Sequence, residues 1–295
     1  MSRRPPPKDR AKPDRQRDAR AHEARARDAG AGSGRPHPAQ GGRGDSPRGP
    51  FRAPSAEVVT LYGAHAVREA LTSGRRKLLA LYATETALPR IADLARAAGL
   101  EPRLVEARDL TRHLGEEAVH QGLMLEARPL PEADIADIET RSGVVLALDQ
   151  ITDPHNVGAI LRTACAYGVD ALIVTERHSP DFTGVLAKAA SGALEHVTIV
   201  SVVNLARALD QLRDRGFSVI GLDSEGAEPI ETIPLSRPLA LVLGAEGKGL
   251  RRLTRERCDL VARLDLPGPI KSLNVSNACA ATLTVVQLRL RAAQD

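Results

Sequence analysis

Between residues 144 and 264 the chain carries six short aliphatic runs separated by stretches of helical periodicity. The runs fall at 144–148, 171–174, 197–200, 218–222, 239–243 and 260–264. Four of them are nearly unbroken Val, Leu, Ile and Ala, the composition of a strand covered on both faces. The stretches at 156–167, 183–190, 205–215 and 250–256 instead repeat apolar residues every three or four positions, and a longer one runs from about 274 to 291. Such alternation predicts an α/β fold with a parallel, doubly wound sheet, because a parallel crossover must return over a face of the sheet. In such sheets ligands gather at the carboxyl ends of the strands. Three loops stand there, 149–156, 244–249 and 265–272, all rich in Gly, Pro, Asp and Asn.

The rest of the chain divides by composition. Residues 56–130 read as a smaller α/β unit, with strands at 58–61, 78–82, 102–105 and 122–126 and helices at 63–71, 87–98 and 109–114. Pro129, Pro131 and an acidic stretch at 132–139 read as a linker over 131–143 into the larger unit, 144–295. Residues 1–55 hold nine Pro, seven Gly and almost no aliphatic residues, too little apolar surface to offset chain entropy, so this segment is expected to be a disordered tail. It is also where the charge lies: 14 Lys/Arg against 6 Asp/Glu, while residues 56–295 carry 27 against 31. A basic tail suits a polyanion such as RNA. It equally suits a non-specific solubilising role.

Composition excludes several classes. Cys165, Cys258 and Cys279 are too far apart for a disulfide framework or zinc spacing, which fits a reducing, cytoplasmic setting. No His/Cys/Asp/Glu cluster has metal-ligand spacing, so no metal is expected. No apolar run approaches the ~18 residues of a membrane span. With six aromatic residues and no Trp, a base-stacking single-strand binder is a poor fit.

The three loops carry the candidate chemistry. Gly244-Ala245-Glu246-Gly247-Lys248-Gly249 matches neither the P-loop nor the dinucleotide pattern. Glu246, between glycines at a strand end, is placed to accept hydrogen bonds from an arginine or from backbone N–H groups. In the stretch 149–162, Asp153-Pro154 forms a turn and Asn156 can cap a helix. Arg162 follows six residues later beside an apolar stripe, suited to an anion or a buried carboxylate, or to snorkelling into solvent. His155 can serve as a base or simply face solvent. Ser272-Leu273-Asn274-Val275-Ser276-Asn277-Ala278 opens the last helix with small polar groups that can hold a ligand.

Taken together, these loops resemble the three motifs of the SpoU-type RNA 2′-O-ribose methyltransferases, a branch of the SPOUT superfamily. Asn156, Gly158 and Arg162, followed by Ala166 and Gly168, match the first motif. Leu243, Gly244, Glu246, Gly249 and Leu250 match the second, and Ser272 to Ala278 the third. The run from Tyr62 to Leu71 and His120-Gln121-Gly122 are similar to the substrate-binding domain of ribosomal-RNA members of the RlmB type. The resemblance implies a knotted (trefoil) methyltransferase domain that forms a homodimer, with an active site drawn from both subunits. It implies S-adenosylmethionine as cofactor, with Leu243, Gly244, Leu264, Leu273 and Ser276 around it. It also implies methyl transfer to a ribose 2′-hydroxyl, with a 23S rRNA guanosine as substrate. The alternatives are a tRNA substrate or a non-catalytic RNA-binding protein on the same scaffold. One departure is visible: Leu264-Asp265-Leu266-Pro267 stands where members often have Ile-Pro-Met.

By the same resemblance, Arg162, Glu246, Asn274, Ser272 and Asn156 form the catalytic set. Family members are thought to use the arginine as general base. A guanidinium ordinarily keeps its proton near neutrality. Two versions therefore stand: an arginine neutralised by its site, or a charged one that clamps the neighbouring phosphate and stabilises the forming alkoxide. Glu246 and Asn274 would orient the arginine or the cofactor, and Ser272 would meet an RNA phosphate.

Overall fold

The computed structural model describes residue 51 and residues 57–182 and 184–293. Apart from Phe51, the tail expected over 1–55 lies outside the described residues. The larger sheet has seven strands, β5 (Val144–Asp149), β6 (Ala171–Thr175), β7 (Thr198–Val202), β8 (Ser218–Leu222), β9 (Glu228–Pro229), β10 (Leu239–Gly244) and β11 (Leu260–Arg263). They lie in the order β7-β6-β5-β10-β8-β11-β9, and every pairing is parallel. The six aliphatic runs are thus the six main strands, while the two-residue β9 is too short to leave a pattern in the sequence.

Strand periodicity splits the core into two layers. Along β5, Val144, Leu146 and Leu148 enter one hydrophobic cluster and Val145 and Ala147 the other; β10 divides Leu239, Leu241 and Leu243 from Ala240 and Val242 in the same way. All of β5 is buried, which explains why its sequence does not alternate. Each such leucine contributes roughly 1.5–3 kcal/mol by leaving water. The first layer is closed by α4 (Pro154–Ala166), α5 (Gly184–Ala190) and α8 (Val275–Ala292), and the second by α6 (Leu205–Asp214). Gly158 lets α4 and α5 meet closely, since a Cβ there would stand 2.5 Å from Ala189 Cβ and 2.8 Å from Leu186 O.

The smaller sheet, order β1-β4-β2-β3, combines β1 (Val59–Tyr62), β2 (Leu78–Ala83), β3 (Arg103–Leu104) and β4 (Leu123–Ala127). Its pairings are antiparallel except β2 with β3. α1 (Ala64–Ser73), α2 (Ala92–Ala97) and α3 (Ala107–Leu114) accompany it. The helix expected over 87–98 is broken: Leu88–Arg90, with Pro89, makes a tight 3-10 turn, and Ile91 leaves helical geometry (φ −128°, ψ −9°) before α2 begins. The stretch 131–143 packs against the larger sheet. Ile135 and Ile138 are buried in the second layer, and Arg215 donates hydrogen bonds to both of their carbonyls.

The described residues cluster as one compact unit. Residues similar to a substrate-binding domain stitch it together. Gln121, at φ +54°, accepts hydrogen bonds at Oε1 from Ala64 N (2.9 Å) and Lys188 Nζ (3.1 Å). His120 Nδ1 accepts from Gly122 N at 3.0 Å, so its proton sits on Nε2, facing Thr111 Oγ1. Burial lowers its pKa below the ordinary histidine value. Glu69 holds His196 at 2.8 Å. Deeper in the seam, Arg76 Nε donates to Glu195 Oε1 at 2.6 Å with both side chains buried.

Candidate active site

β10 runs between β5 and β8, and an aspartate from the end of each neighbour grips the loop that follows it. Asp149, at the end of β5 and 1 % exposed, accepts from Arg251 N (2.9 Å) and Arg251 Nε (2.6 Å). Asp223, just past β8, accepts from Leu250 N (3.3 Å) and Arg255 Nη2 (2.5 Å). These bonds hold Leu250 and Arg251 outside the helix, Arg251 with extended backbone, so α7 (Arg252–Glu256) starts two residues later than its periodicity predicts. The loop then folds back on itself, with Ala245 bridging Gly249. Gly244 permits this, because a Cβ there would stand 2.2 Å from Gly249 C. Gly249 itself sits at φ +61°. Gly244→Ala is expected to cost about 1–3 kcal/mol of overpacking strain; urea unfolding of the variant would show it.

A cavity of about 300 Å³ opens beside this loop. Leu243, Gly244, Glu246, Leu264, Ser272 and Leu273 line it, each of them a site residue predicted from sequence. Glu246 accepts from the backbone N–H of Val275 at 3.2 Å, so its partner is a backbone group rather than an arginine. Asn274 caps α8: its Oδ1 accepts from Ser276 N (2.9 Å) and Ser276 Oγ (2.6 Å). Its Nδ2 donates to Asn156 Oδ1 at 2.9 Å. Asn156 is not the cap of α4. Asp153 holds that place, accepting from His155 N with Pro154 opening the first turn, which leaves the Asn156 amide free to meet Asn274. Asn156, Asn274 and Ser276 therefore form one chain of hydrogen bonds beside the lining residues Leu273 and Val275.

Arg162 stands apart from this cluster. It is exposed, does not line the cavity, and makes no ion pair or hydrogen bond among the described residues. Six residues along α4 put it about 120° around the helix from Asn156. The buried carboxylate partner open to it in the sequence is therefore absent within the described residues of this chain. His155 is also exposed.

The cavity has lining residues that sequence reasoning missed: Asp223, Ser224 and Glu225 after β8, and Lys271, Arg255 and Thr282. The stretch 223–225 was findable, since it lies at the carboxyl end of a parallel strand, where ligands collect. Lys271 Nζ donates to Leu266 O at 2.6 Å and pins the turn where Asp265 departs from the usual motif. Burial pushes the thiols of Cys258 and Cys279 up to about 12, with Asp259 and Asp149 adding to the effect at Cys258, which disfavours the thiolate at both.

Residues 143–284 match the model of the SpoU rRNA Methylase family, and residues 60–133 match that for RNA 2′-O ribose methyltransferase substrate binding. A 23S rRNA (guanosine-2′-O-)-methyltransferase RlmB from Pseudomonas aeruginosa is 43% identical over 232 residues, covering 76% of this chain and 93% of that protein. The RlmB of Coxiella burnetii is 36% identical over 242 residues, covering 79% and 96%. Among solved structures, the SpoU methyltransferase AviRb from Streptomyces viridochromogenes, in complex with AdoMet, superposes with a TM-score of 0.67 at 23% identity. It covers 79% of this chain and 91% of that one, a likeness of fold. On both its matched regions and its relatives, the chain belongs to the SpoU rRNA Methylase family.

Proposed function

We propose that this protein transfers a methyl group from S-adenosylmethionine to the 2′-hydroxyl of a guanosine ribose in 23S rRNA, in the cytoplasm. The observation that carries the reading is the joining of three distant loops: 244–249 and 265–272 both line the cavity, with Glu246 bonded to Val275, and 149–156 is tied to them through Asn156 and Asn274. The cavity fits the cofactor. Its ~300 Å³ lies at the lower end of the range for small-molecule sites. It joins leucine side chains to glycine-rich backbone and a few charged groups. Leu243, Gly244, Leu264 and Leu273 would hold the cofactor, with Ser276 bracing the wall behind them. When bound, it supplies a methyl group on a positively charged sulfur.

The remaining work falls to the protein: holding the ribose in line and activating a weak nucleophile. Glu246 and Asn274 fix the start of α8 and hence the cavity wall. Ser272, exposed at the rim, meets an RNA phosphate. Arg162 remains charged, clamps that region of the RNA backbone and stabilises the forming alkoxide. Its absence from the lining of its own chain's cavity supports a homodimer in which each subunit supplies Arg162 to the other. The trefoil threading of the family is part of this reading. Supporting it, the chain leaves β11 near the sheet edge yet is held at Val275 by the loop after the central β10.

The test is transfer of labelled methyl from S-adenosylmethionine to 23S rRNA, compared with tRNA and with rRNA carrying a 2′-deoxyguanosine at the mapped position. Label on rRNA that is lost with the deoxy substitution is expected. Label on tRNA alone would overturn the substrate assignment. The shared site has its own test. An Arg162→Ala subunit mixed with one inactivated in the cavity, such as Glu246→Arg, should regain roughly a quarter of the wild-type rate. Half the dimers are then mixed, and each holds one complete site. No recovery after subunit exchange, shown by mass spectrometry, would place Arg162 in its own chain's site.

A further inference from the structure

Both carboxylate oxygens of the buried Asp149 go to one residue. Oδ2 accepts from the backbone N–H of Arg251 and Oδ1 from Arg251 Nε, so the side chain is tied at its base and at its guanidinium to the same group. Yet it keeps 46% of its surface in solvent, against 0% for the aspartate. Its two terminal nitrogens make no hydrogen bond or ion pair among the described residues.

The neighbouring arginines are built differently. Arg252 gives Nη1 to Glu256, and Arg255 gives Nη2 to Asp223. Arg257 pairs through Nε as Arg251 does, but at 3.3 Å and with Asp210, a carboxylate that is itself 42% exposed. Arg251 therefore joins a firmly held guanidinium to an unused pair of donors. Such a fork matches two oxygens of a phosphate, and a side chain already fixed loses little freedom on binding.

Its place in the fold narrows the ligand. The parallel register sets Asp149 beside Gly244, which lines the cavity, while Arg251 does not line it. Leu148 belongs to the core layer that α4 and α8 close, so Asp149, the next residue, is directed to the other layer, where Leu250 is buried. The proposed reaction brings two kinds of anion to these strand ends. The cofactor's carboxylate goes into the cavity; the phosphates of RNA remain outside it, where Arg251 stands.

We propose that Arg251 is a phosphate contact for the RNA substrate, positioned by Asp149 at the end of β5, an inference that rests on the RNA reading above. Standing over the sheet face opposite α4 and α8, it acts on RNA binding and not on the methyl-transfer step.

The test uses the full chain and a 23S rRNA transcript, with affinity measured across a range of salt. Arg251→Gln should bind about ten-fold more weakly, the loss of one charge-assisted contact. The slope of log affinity against log salt should fall by about 0.7–0.9, one phosphate fewer. KM for the transcript should rise while turnover at saturating RNA and affinity for S-adenosylhomocysteine hold. Because this variant strands Asp149, Arg251→Gln with Asp149→Asn is measured beside it and should show the same reduced slope. Arg252→Gln, with its terminal nitrogen already engaged, should keep the wild-type slope. An unchanged slope in the double variant, an equal fall in Arg252→Gln, or a loss confined to turnover would each overturn the assignment. Wild-type protein that binds the transcript with no dependence on salt would overturn it too. Wild-type protein that binds no RNA would overturn the RNA reading itself, and this contact with it.

Discussion

Arg162→Ala is expected to abolish methyl transfer while leaving the affinity for S-adenosylhomocysteine unchanged. Loss of one charged donor at a developing oxyanion costs about 100-fold or more in turnover. The cofactor should not notice, because Arg162 does not line the cavity and makes no hydrogen bond or ion pair among the described residues. Stability should hardly move either, since the side chain is exposed and makes no bond among the described residues that would be broken. Single-turnover assays beside calorimetry separate the two effects. Near-normal turnover would remove Arg162 from the mechanism altogether. Arg162→Lys adds a second axis. A clamp keeps part of its effect with any cation, without the bidentate geometry, so residual activity should be independent of pH around neutrality. A rate that climbs with pH as the lysine loses its proton would instead favour the base role.

Arg76→Met should produce the largest loss of stability of any single change considered. Arg76 and Glu195 are paired at 2.6 Å with side-chain exposures of 3% and 2%. Ser73 Oγ adds a bond to Glu195 at 3.2 Å, and Arg76 Nη1 donates to Arg128 O at 3.3 Å. Methionine fills similar space but strands a carboxylate away from water. Removing one partner of a buried pair costs about 3–5 kcal/mol. The double change Arg76→Met with Glu195→Leu should recover most of that, because apolar groups can replace a buried pair at little net cost. Urea unfolding of the two single variants and the double variant gives the coupling directly. If the single variant unfolds like the wild type, the seam draws its stability from elsewhere.

The larger sheet was legible because its strands are buried on both faces, and burial of that kind writes unbroken aliphatic runs into the sequence. The loops at the strand ends were legible for a related reason: glycines such as Gly244 and Gly249 are needed where backbone crosses backbone. What escaped depends on long-range pairing. Nothing local says that Asn156 will bond Asn274, 118 residues away, rather than cap its own helix. The same holds for Asp149, whose partner Arg251 lies 102 residues on. Thr282 sits in a helix that already reads as apolar core, so its place in the cavity lining leaves no mark on the periodicity. The stretch 131–143 looked like a linker because Pro129 and Pro131 lead into an acidic run, yet Ile135 and Ile138 were enough to dock it.

The order of strands has a consequence for how the chain is made. β5 pairs with β6 on one side and with β10 on the other. During synthesis β6 follows soon after, but β10 emerges only when residues 239–244 leave the ribosome. At ordinary elongation rates that is a delay of about 5–20 s. Throughout it, β5 presents an unpaired edge and faces that are apolar up to Asp149, the combination most prone to pair with the wrong chain. Newly made protein should therefore depend on chaperones until β10 closes the gap, even though the finished sheet has its stickiest strand sealed at the centre.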